Sequence, residues 1–279
     1  MTEKKIDKIQ VCLVIAVFTP MGLVWWLMTE MISTVLSVRI VLTIGLLVGM
    51  PAFQLRLKNR PAKPKPPKTL VIDSNQTVLE AESFRLTEFH LDEIENIHRF
   101  TRINLGLNNL RRIDLTPLAG SDNLKELVLY MNHLETIDLT PLASCPNLEY
   151  LDLTSNDLET IDLTPLSSCL KLTGLNIGQN GTSHLNLSPI SECKDLEVLN
   201  IDDMNLREID LSPLRGFAKL WFLKLDDNDL VSLDITPLFE CKSLTEFTLD
   251  RIELTTTMSR PIEEWPKGVR THKKKFRKS

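Results

Sequence analysis

The chain has 279 residues, 43% of them apolar and 25% charged, with 10 Gly and 15 Pro. This composition excludes a disordered polyelectrolyte, a collagen-like chain and a disulfide-stapled miniprotein. The formal charge of −5 conceals a segregation: residues 69–257 hold 14 Lys/Arg against 32 Asp/Glu, and the other 90 residues hold 18 against 5. An acidic body lies between two basic flanks.

Residues 1–8 form a basic N-terminus with Lys4, Lys5 and Lys8, and residues 9–53 are almost continuously apolar. A bilayer-spanning helix needs about 20 apolar residues, so this stretch predicts two transmembrane helices, about 9–28 and 31–53, broken at Thr29-Glu30. Pro20 is tolerated where neighbours satisfy the freed carbonyl, and Arg39 reaches the nearer interface or pairs with Glu30. Basic residues flank the pair on both sides while the hairpin tip carries Glu30. The positive-inside rule therefore places both termini, and everything after residue 53, in the cytoplasm. A cleaved signal peptide fits less well, because the apolar run is too long and lacks a small-residue cleavage site. Residues 54–69 are a Pro/Lys-rich linker. Four prolines within 60–68 make it an extended spacer of about 25 Å, and Lys58, Lys63, Lys65 and Lys68 favour anionic headgroups.

From residue 76 the chain repeats every 24 residues without slippage. The first position recurs as Phe100, Leu124, Leu148, Leu172, Leu196, Leu220 and Leu244, and a proline recurs as Pro117, Pro141, Pro165, Pro189, Pro213 and Pro237. A degenerate upstream copy keeps the register through Leu79, Leu86, Phe89, Leu91 and Ile94. Six full copies, a truncated seventh and an N-terminal cap occupy a domain over 70–257, followed by a C-terminal cap and basic tail over 258–279.

The pattern L-x-x-L-x-L-x-x-N-x-L resembles the leucine-rich-repeat family. The back half, I-D-L-T-P-L-x-x-C, looks most like the internalin-type repeats, which are two residues shorter. The resemblance implies an α/β-type solenoid, a right-handed superhelix with a parallel sheet on its concave face and short 3₁₀ turns on its convex face, here preceded by the transmembrane hairpin.

Elementary chemistry supports the same fold. Leu127 and Leu129 alternate as in a strand with one face buried. An Asn column (Asn108, Asn132, Asn156, Asn180, Asn228) is placed to bond backbone groups at the corner where each strand ends, with Met204 and Ile252 as departures. Thr140-Pro141 reads as a hydroxyl cap followed by proline at the start of a helical turn. Asp114, Asp138, Asp162, Asn186, Asp210 and Asp234 form a second column, in which each side chain is expected to accept the N–H two residues on. Cys145, Cys169, Cys193 and Cys241 share one position. Stacked coils would set them in a line rather than a tetrahedron, so they read as reduced thiols filling core, not as a metal site. Residues 258–266, with Ile262 and Trp265, are candidates to cover the open end.

The inner sheet face carries the candidate site. Both tyrosines lie there, Tyr130 and Tyr150, with Asp152, Asp202, Phe222, Lys224, Asp226 and Asp250. No folding rule places aromatics on a solvated strand face, and aromatics are over-represented among binding hot spots. The expected partner is a protein or peptide with a basic surface. The tail after Lys267 is strongly basic, and Lys273, Lys274 and Lys275 are candidates for an anionic membrane surface; folding back onto the acidic face is its alternative. Nucleic acid is not expected, because the acidic body opposes it. No nucleotide-binding, hydrolase, metalloprotease or kinase motif is present, so neither a catalytic residue nor a cofactor is assigned.

The expectation is a membrane-anchored interaction module on the cytoplasmic side. Its rivals are an outward-facing receptor or adhesion protein, for which Asn75, Asn180 and Asn186 would be glycosylation acceptors, and an oligomeric hairpin motivated by Arg39 and the Gly45/Gly49 pair.

Overall fold

The computed structural model describes residues 75–250, 252–256 and 264–272, all within one compact unit, Pro64–Ser279. Both predicted membrane helices, the Pro/Lys linker with Lys58, Lys63, Lys65 and Lys68, and the tail residues Lys273, Lys274 and Lys275 lie outside the described residues. Among the described residues no helix is long and apolar enough to cross a membrane.

Eight three-residue strands form one parallel sheet in chain order: β1 (Val78–Glu80), β2 (Arg102–Asn104), β3 (Glu126–Val128), β4 (Tyr150–Asp152), β5 (Gly174–Asn176), β6 (Val198–Asn200), β7 (Phe222–Lys224) and β9 (Glu246–Thr248). Every pairing is offset by one repeat, from Val78↔Arg102 to Lys224↔Thr248, so the sequence period is the hydrogen-bond register. The degenerate first copy takes its full place in the sheet through β1. The central residue of each strand points into the core, where Ile103, Leu127, Leu151, Leu175, Leu199 and Leu223 are fully buried. Opposite the sheet lie 3₁₀ turns that begin at the Thr/Ser-Pro pairs, such as Thr116–Leu118, Thr140–Ser144 and Thr164–Ser168.

Sharp corners close each coil. The residue just before each corner position adopts a left-handed backbone at Ser83, Leu107, Met131, Ser155, Gln179, Asp203 and Asp227, with φ between 46° and 64°. None is glycine, so each carries a cost of about 1–2 kcal/mol. At five of the seven the asparagine that follows offsets it; Phe84 and Met204 follow Ser83 and Asp203. Asn132 Nδ2 donates to Leu105 O (3.0 Å) and Leu129 O (2.9 Å), and its Oδ1 accepts from Leu110 N (3.0 Å), which ties its coil to the preceding one. Asn108, Asn156, Asn180 and Asn228 repeat the arrangement.

The arrangement is interrupted at one corner. Met204 has no amide to accept the Thr182 N–H, and Thr182 is a fully buried hydroxyl in an otherwise aliphatic column. Its Oγ1 donates to Leu158 O at 2.9 Å. The hydroxyl thus binds a carbonyl of the preceding coil and does not replace the acceptor that Met204 lacks.

The second polar column behaves as its spacing predicts: Oδ1 of Asp114, Asp138, Asp162, Asn186, Asp210 and Asp234 accepts the N–H two residues on, at 2.8–2.9 Å. The Thr/Ser hydroxyl is not the cap. The cap position is the preceding residue, Leu139 before Thr140, which makes no side-chain cap bond, so the carboxylate satisfies the turn's first amide. Bonding to Thr140 holds the Asp138 carboxyl below its usual value and outweighs the opposing charges of Asp114 and Asp162. Local hydrogen bonds win over column repulsion.

The last coil is closed by β10 (Glu253–Thr255), paired in parallel with β8 (Ser232–Asp234), and by a short helix α1 (Lys267–Arg270). Trp265 packs edge-on against Phe239 with ring centroids 5.2 Å apart. Gly268 N donates to Leu244 O (2.9 Å), and Val269 is fully buried. Trp265 thus belongs to the expected cover, Ile262 lies outside the described residues, and the cover extends through residues 267–272.

Two outcomes follow. Asn132→Ala removes three bonds and strands buried backbone groups, so urea unfolding should show a loss of about 2–4 kcal/mol. Asp114, Asp138, Asp162 and Asp210 all have lowered folded-state pKa values. Their contribution is complete above the unfolded value near 4 and is lost as pH falls through the folded values. Asp→Asn at all four, as nature has at Asn186, should keep the turn bonds and make the acid-side fall in Tm shallower than in the parent chain.

Candidate functional site: the concave face

The concave face is built from the outward residues of the strands and the positions just after them, and it divides into three parts. At its N-terminal end charges are paired within the face. Arg102 lies between Glu80 (2.9 Å) and Glu126, and Asn104 Nδ2 donates to Glu80 (2.7 Å) and Glu82 (2.9 Å). Burial works against the Arg102 guanidinium, but the bonds and charges of Glu80 and Glu126 raise its pKa overall.

The tyrosines are bound into this surface rather than standing from it. Tyr130 OH donates to Glu82 Oε1 (2.8 Å), and its ring lies over Gly106, where a Cβ would meet Tyr130 Cε1 at 2.4 Å. Tyr150 leans the other way. Its ring covers Gly174, where a Cβ would meet Cδ2 at 2.5 Å, and its hydroxyl donates to Asp152 Oδ2 (2.9 Å) while accepting from Asn176 Nδ2 (2.6 Å). Burial, then the neighbouring carboxylates, pushes both phenols well above 10. Asp152 also accepts from Thr154 N at 2.9 Å and from Asn176 Nδ2 at 3.4 Å.

The C-terminal end is different. Asp202 is buried at 2% exposure, with Oδ2 bonded to Lys224 Nζ (2.6 Å) and Oδ1 without a hydrogen-bond partner above Gly178. Lys224 also lies 3.9 Å from Asp226. Burial opposes its charge, yet Asp202 and the Asp226 and Asp227 carboxylates raise its pKa overall. Asp226 accepts from the Thr248 hydroxyl, and Asp250 from Asn228 N (3.2 Å). The crowding is felt at exposed Asp227, whose pKa is raised by Asp226 first, then burial, Asp250 and Asp203. Phe222 is half-buried beside Trp221, which is 42% exposed, with ring centroids 5.5 Å apart.

The structure thus brings Asp202, Lys224, Asp226 and Asp250 together with Phe222, and Tyr150 with Asp152, while Tyr130 belongs to the paired N-terminal end. Sequence reasoning passed over Trp221, Glu80 and Glu82. Trp221 stands in a column otherwise made of Thr101, Lys125, Glu149, Thr173, Glu197 and Thr245, a signal in plain view. Glu82 lies 24 and 48 residues before Gly106 and Tyr130 and was hidden by the degeneracy of the first copy.

Among the described residues no group of three or more His, Cys, Asp or Glu side chains is arranged to hold a metal. The four column cysteines are fully buried, each Sγ facing a backbone carbonyl, such as Leu118 O at 3.2 Å for Cys145. Burial pushes Cys169 and Cys241 up to about 12 and Cys193 to about 11. Asn180 is a buried corner residue, inaccessible to glycosylation in the folded chain.

Residues 98–158 match the family model described as leucine rich repeat. The solenoid has the leucine-rich-repeat fold. Similar solved structures include internalin C2 from Listeria monocytogenes, 29% identical over 63% of this chain and 72% of that chain, TM-score 0.52. The ectodomain of the plant membrane receptor kinase GASSHO1/SCHENGEN3 from Arabidopsis thaliana, in complex with CASPARIAN STRIP INTEGRITY FACTOR 2, is 26% identical over 60% of this chain, TM-score 0.53. The functional domain of InlJ from Listeria monocytogenes, which includes a cysteine ladder, shares the fold at 20% identity and TM-score 0.52 over 70% of this chain. The chain spans 44% of the InlJ chain and 20% of the plant ectodomain. No curated protein matches the chain in sequence. Leucine-rich-repeat domains act in protein–protein interaction, and internalin-like solenoids are the structural neighbours here.

The chain has two tyrosines, which gives a clean readout. Absorbance titration at alkaline pH should show both phenols resisting ionisation until unfolding. Gly174→Ala forces the Tyr150 ring off the sheet, so that one tyrosine of the two should then titrate near 10.

Proposed function

We propose that this chain is a membrane-anchored interaction module whose leucine-rich-repeat domain offers the C-terminal half of its concave face to a basic protein or peptide partner, on the cytoplasmic side. The observation that carries the reading is the asymmetry of that face. At its N-terminal end Arg102 bridges Glu80 and Glu126 while Asn104 and Tyr130 hold Glu82, whereas its C-terminal end crowds Asp203, Asp226 and Asp250 about Asp227, beside one lysine already paired to buried Asp202. Beside them stands the exposed Trp221 with Phe222. An aromatic anchor ringed by carboxylates suits a segment that combines basic and apolar side chains. The contact residues are Trp221, Phe222, Asp226, Asp227 and Asp250, with Lys224 and Asp202 fixing the acidic group from beneath. Tyr150 and Asp152 extend the surface, and Tyr130 shapes its paired end.

Membrane attachment rests on the apolar run 9–53, and the side of the membrane on its basic flanks, with Lys58, Lys63, Lys65 and Lys68 favouring anionic lipid. The solenoid's role is then rigid display near the bilayer. Catalysis and cofactors have no part in the reading. A tag on Ser279, followed by protease treatment of intact and permeabilised cells, tests the topology. Loss of the tag only on permeabilisation is the expected result; loss in intact cells turns the domain outward and makes it a receptor face. With the partner captured by photo-crosslinking at Trp221, Phe222→Ala and Asp226→Asn should each weaken binding about tenfold or more, and added salt should weaken it further. Substitution of Glu135, on the exposed side of the coil, should leave it unchanged.

A further inference from the structure

The end of the solenoid and the acidic half of its concave face are adjacent, and the chain leaves the solenoid between them. Helix α1 takes the place of a further coil: Gly268, 24 residues after Leu244, donates to its carbonyl, and His272 stands 24 residues after Thr248. The His272 ring packs edge-on to Phe247 with centroids 5.0 Å apart, and its Nε2 donates to Phe247 O at 2.7 Å. His272 is thereby pinned to β9, the strand next to β7. The seven residues that follow are Lys273-Lys-Lys-Phe-Arg-Lys-Ser279, five of them basic and one aromatic.

We propose that residues 273–279 dock in cis on the acidic end of the concave face, over β9, β7 and β6, and compete there with any partner for the same carboxylates. Reach, charge and side-chain order support it. Reach suffices: seven extended residues span about 23–25 Å, while strands lie about 4.8 Å apart, so the tail crosses from β9 past β6. Charge is complementary: five cations face Asp203, Asp226, Asp227, Glu246 and Asp250, where Asp227 is crowded by its neighbours and Lys224 is already committed to Asp202. The side-chain order fits: Phe276 lies between Lys275 and Arg277, as Trp221 and Phe222 lie beside the carboxylates. A tether this short gives an effective concentration in the millimolar range, so a modest affinity keeps the face occupied. The tail then sets a threshold that a partner must exceed.

The proposal shares its surface with the partner reading, and the test separates them. The full chain is compared with a chain ending at His272, which keeps α1 and its packing intact. Carbodiimide cross-linking of the full chain should join Lys273, Lys274 or Lys275 to Asp226, Asp227, Glu246 or Asp250. A labelled peptide Lys-Lys-Lys-Phe-Arg-Lys-Ser should bind the shortened chain at least tenfold more tightly than the full chain, and D226N/D227N in the shortened chain should reduce that binding. Equal affinity for both chains overturns cis docking and leaves the acidic face free to recruit a basic partner. Binding to neither chain overturns cis docking and removes the charge basis of the partner reading as well. Cross-links that form in detergent but vanish in bilayers containing phosphatidylserine overturn it in favour of the lipid surface.

Discussion

One constraint governs the molecule: each coil must sit in backbone register with the coil 24 residues away. A single repeat buries a handful of aliphatic side chains, and ordering its 24 residues costs about 1–2 kcal/mol each in backbone entropy. No coil is stable alone, and stacking is what makes the fold possible. The parallel ladder from Val78 to Thr248, the corner asparagines and the turn-capping aspartates all serve that register. The asparagines do so most directly, since each binds its own coil and the preceding one through a single amide.

This explains what the sequence made legible. A side chain fixed by register must recur at the register, and so the strands, the buried leucines, the Asn corners, the Asx turns and the thiol column could all be read from spacing. The left-handed residues from Ser83 to Asp227 could not. Their identities vary, Ser83 and Asp203 adopt the conformation with Phe84 and Met204 beside them rather than asparagine, and no glycine marks the place. The end of the domain was legible only in part. Trp265 signalled a cover, but α1 sits in a stretch that reads as the start of a basic tail, and only Gly268 against the β9 backbone and the buried Val269 mark it as structure.

The candidate face was less legible than the fold for a related reason. Its residues escape the period, and what matters is which neighbour each meets across strands. Tyr130 and Tyr150 read as free aromatics, yet each covers a glycine and bonds a partner on another coil, Glu82 and Asn176 respectively. Charge counts likewise conceal the difference between the two ends. The glutamates near Arg102 are each held by a neighbouring side chain, whereas Asp203, Asp226 and Asp250 crowd the exposed Asp227. The face is marked by departures from the repeat, of which the tryptophan at position 221, among three threonines, two glutamates and one lysine, is the plainest.

The pair Thr182 and Met204 has a further meaning. In a linear array, cooperativity is carried by nearest-neighbour coupling, and the loss of one inter-coil tie lowers that coupling at one junction. The hydroxyl of Thr182 restores a bond within its own side of the junction without replacing the amide that would cross it. The junction between the coil of Asn180 and that of Met204 is instead held by main chain, including Asn180 N donating to Asp203 O at 3.2 Å. That junction falls between the tyrosine-bearing part of the face and its acidic end, so the two parts are joined through backbone bonds rather than through a corner side chain.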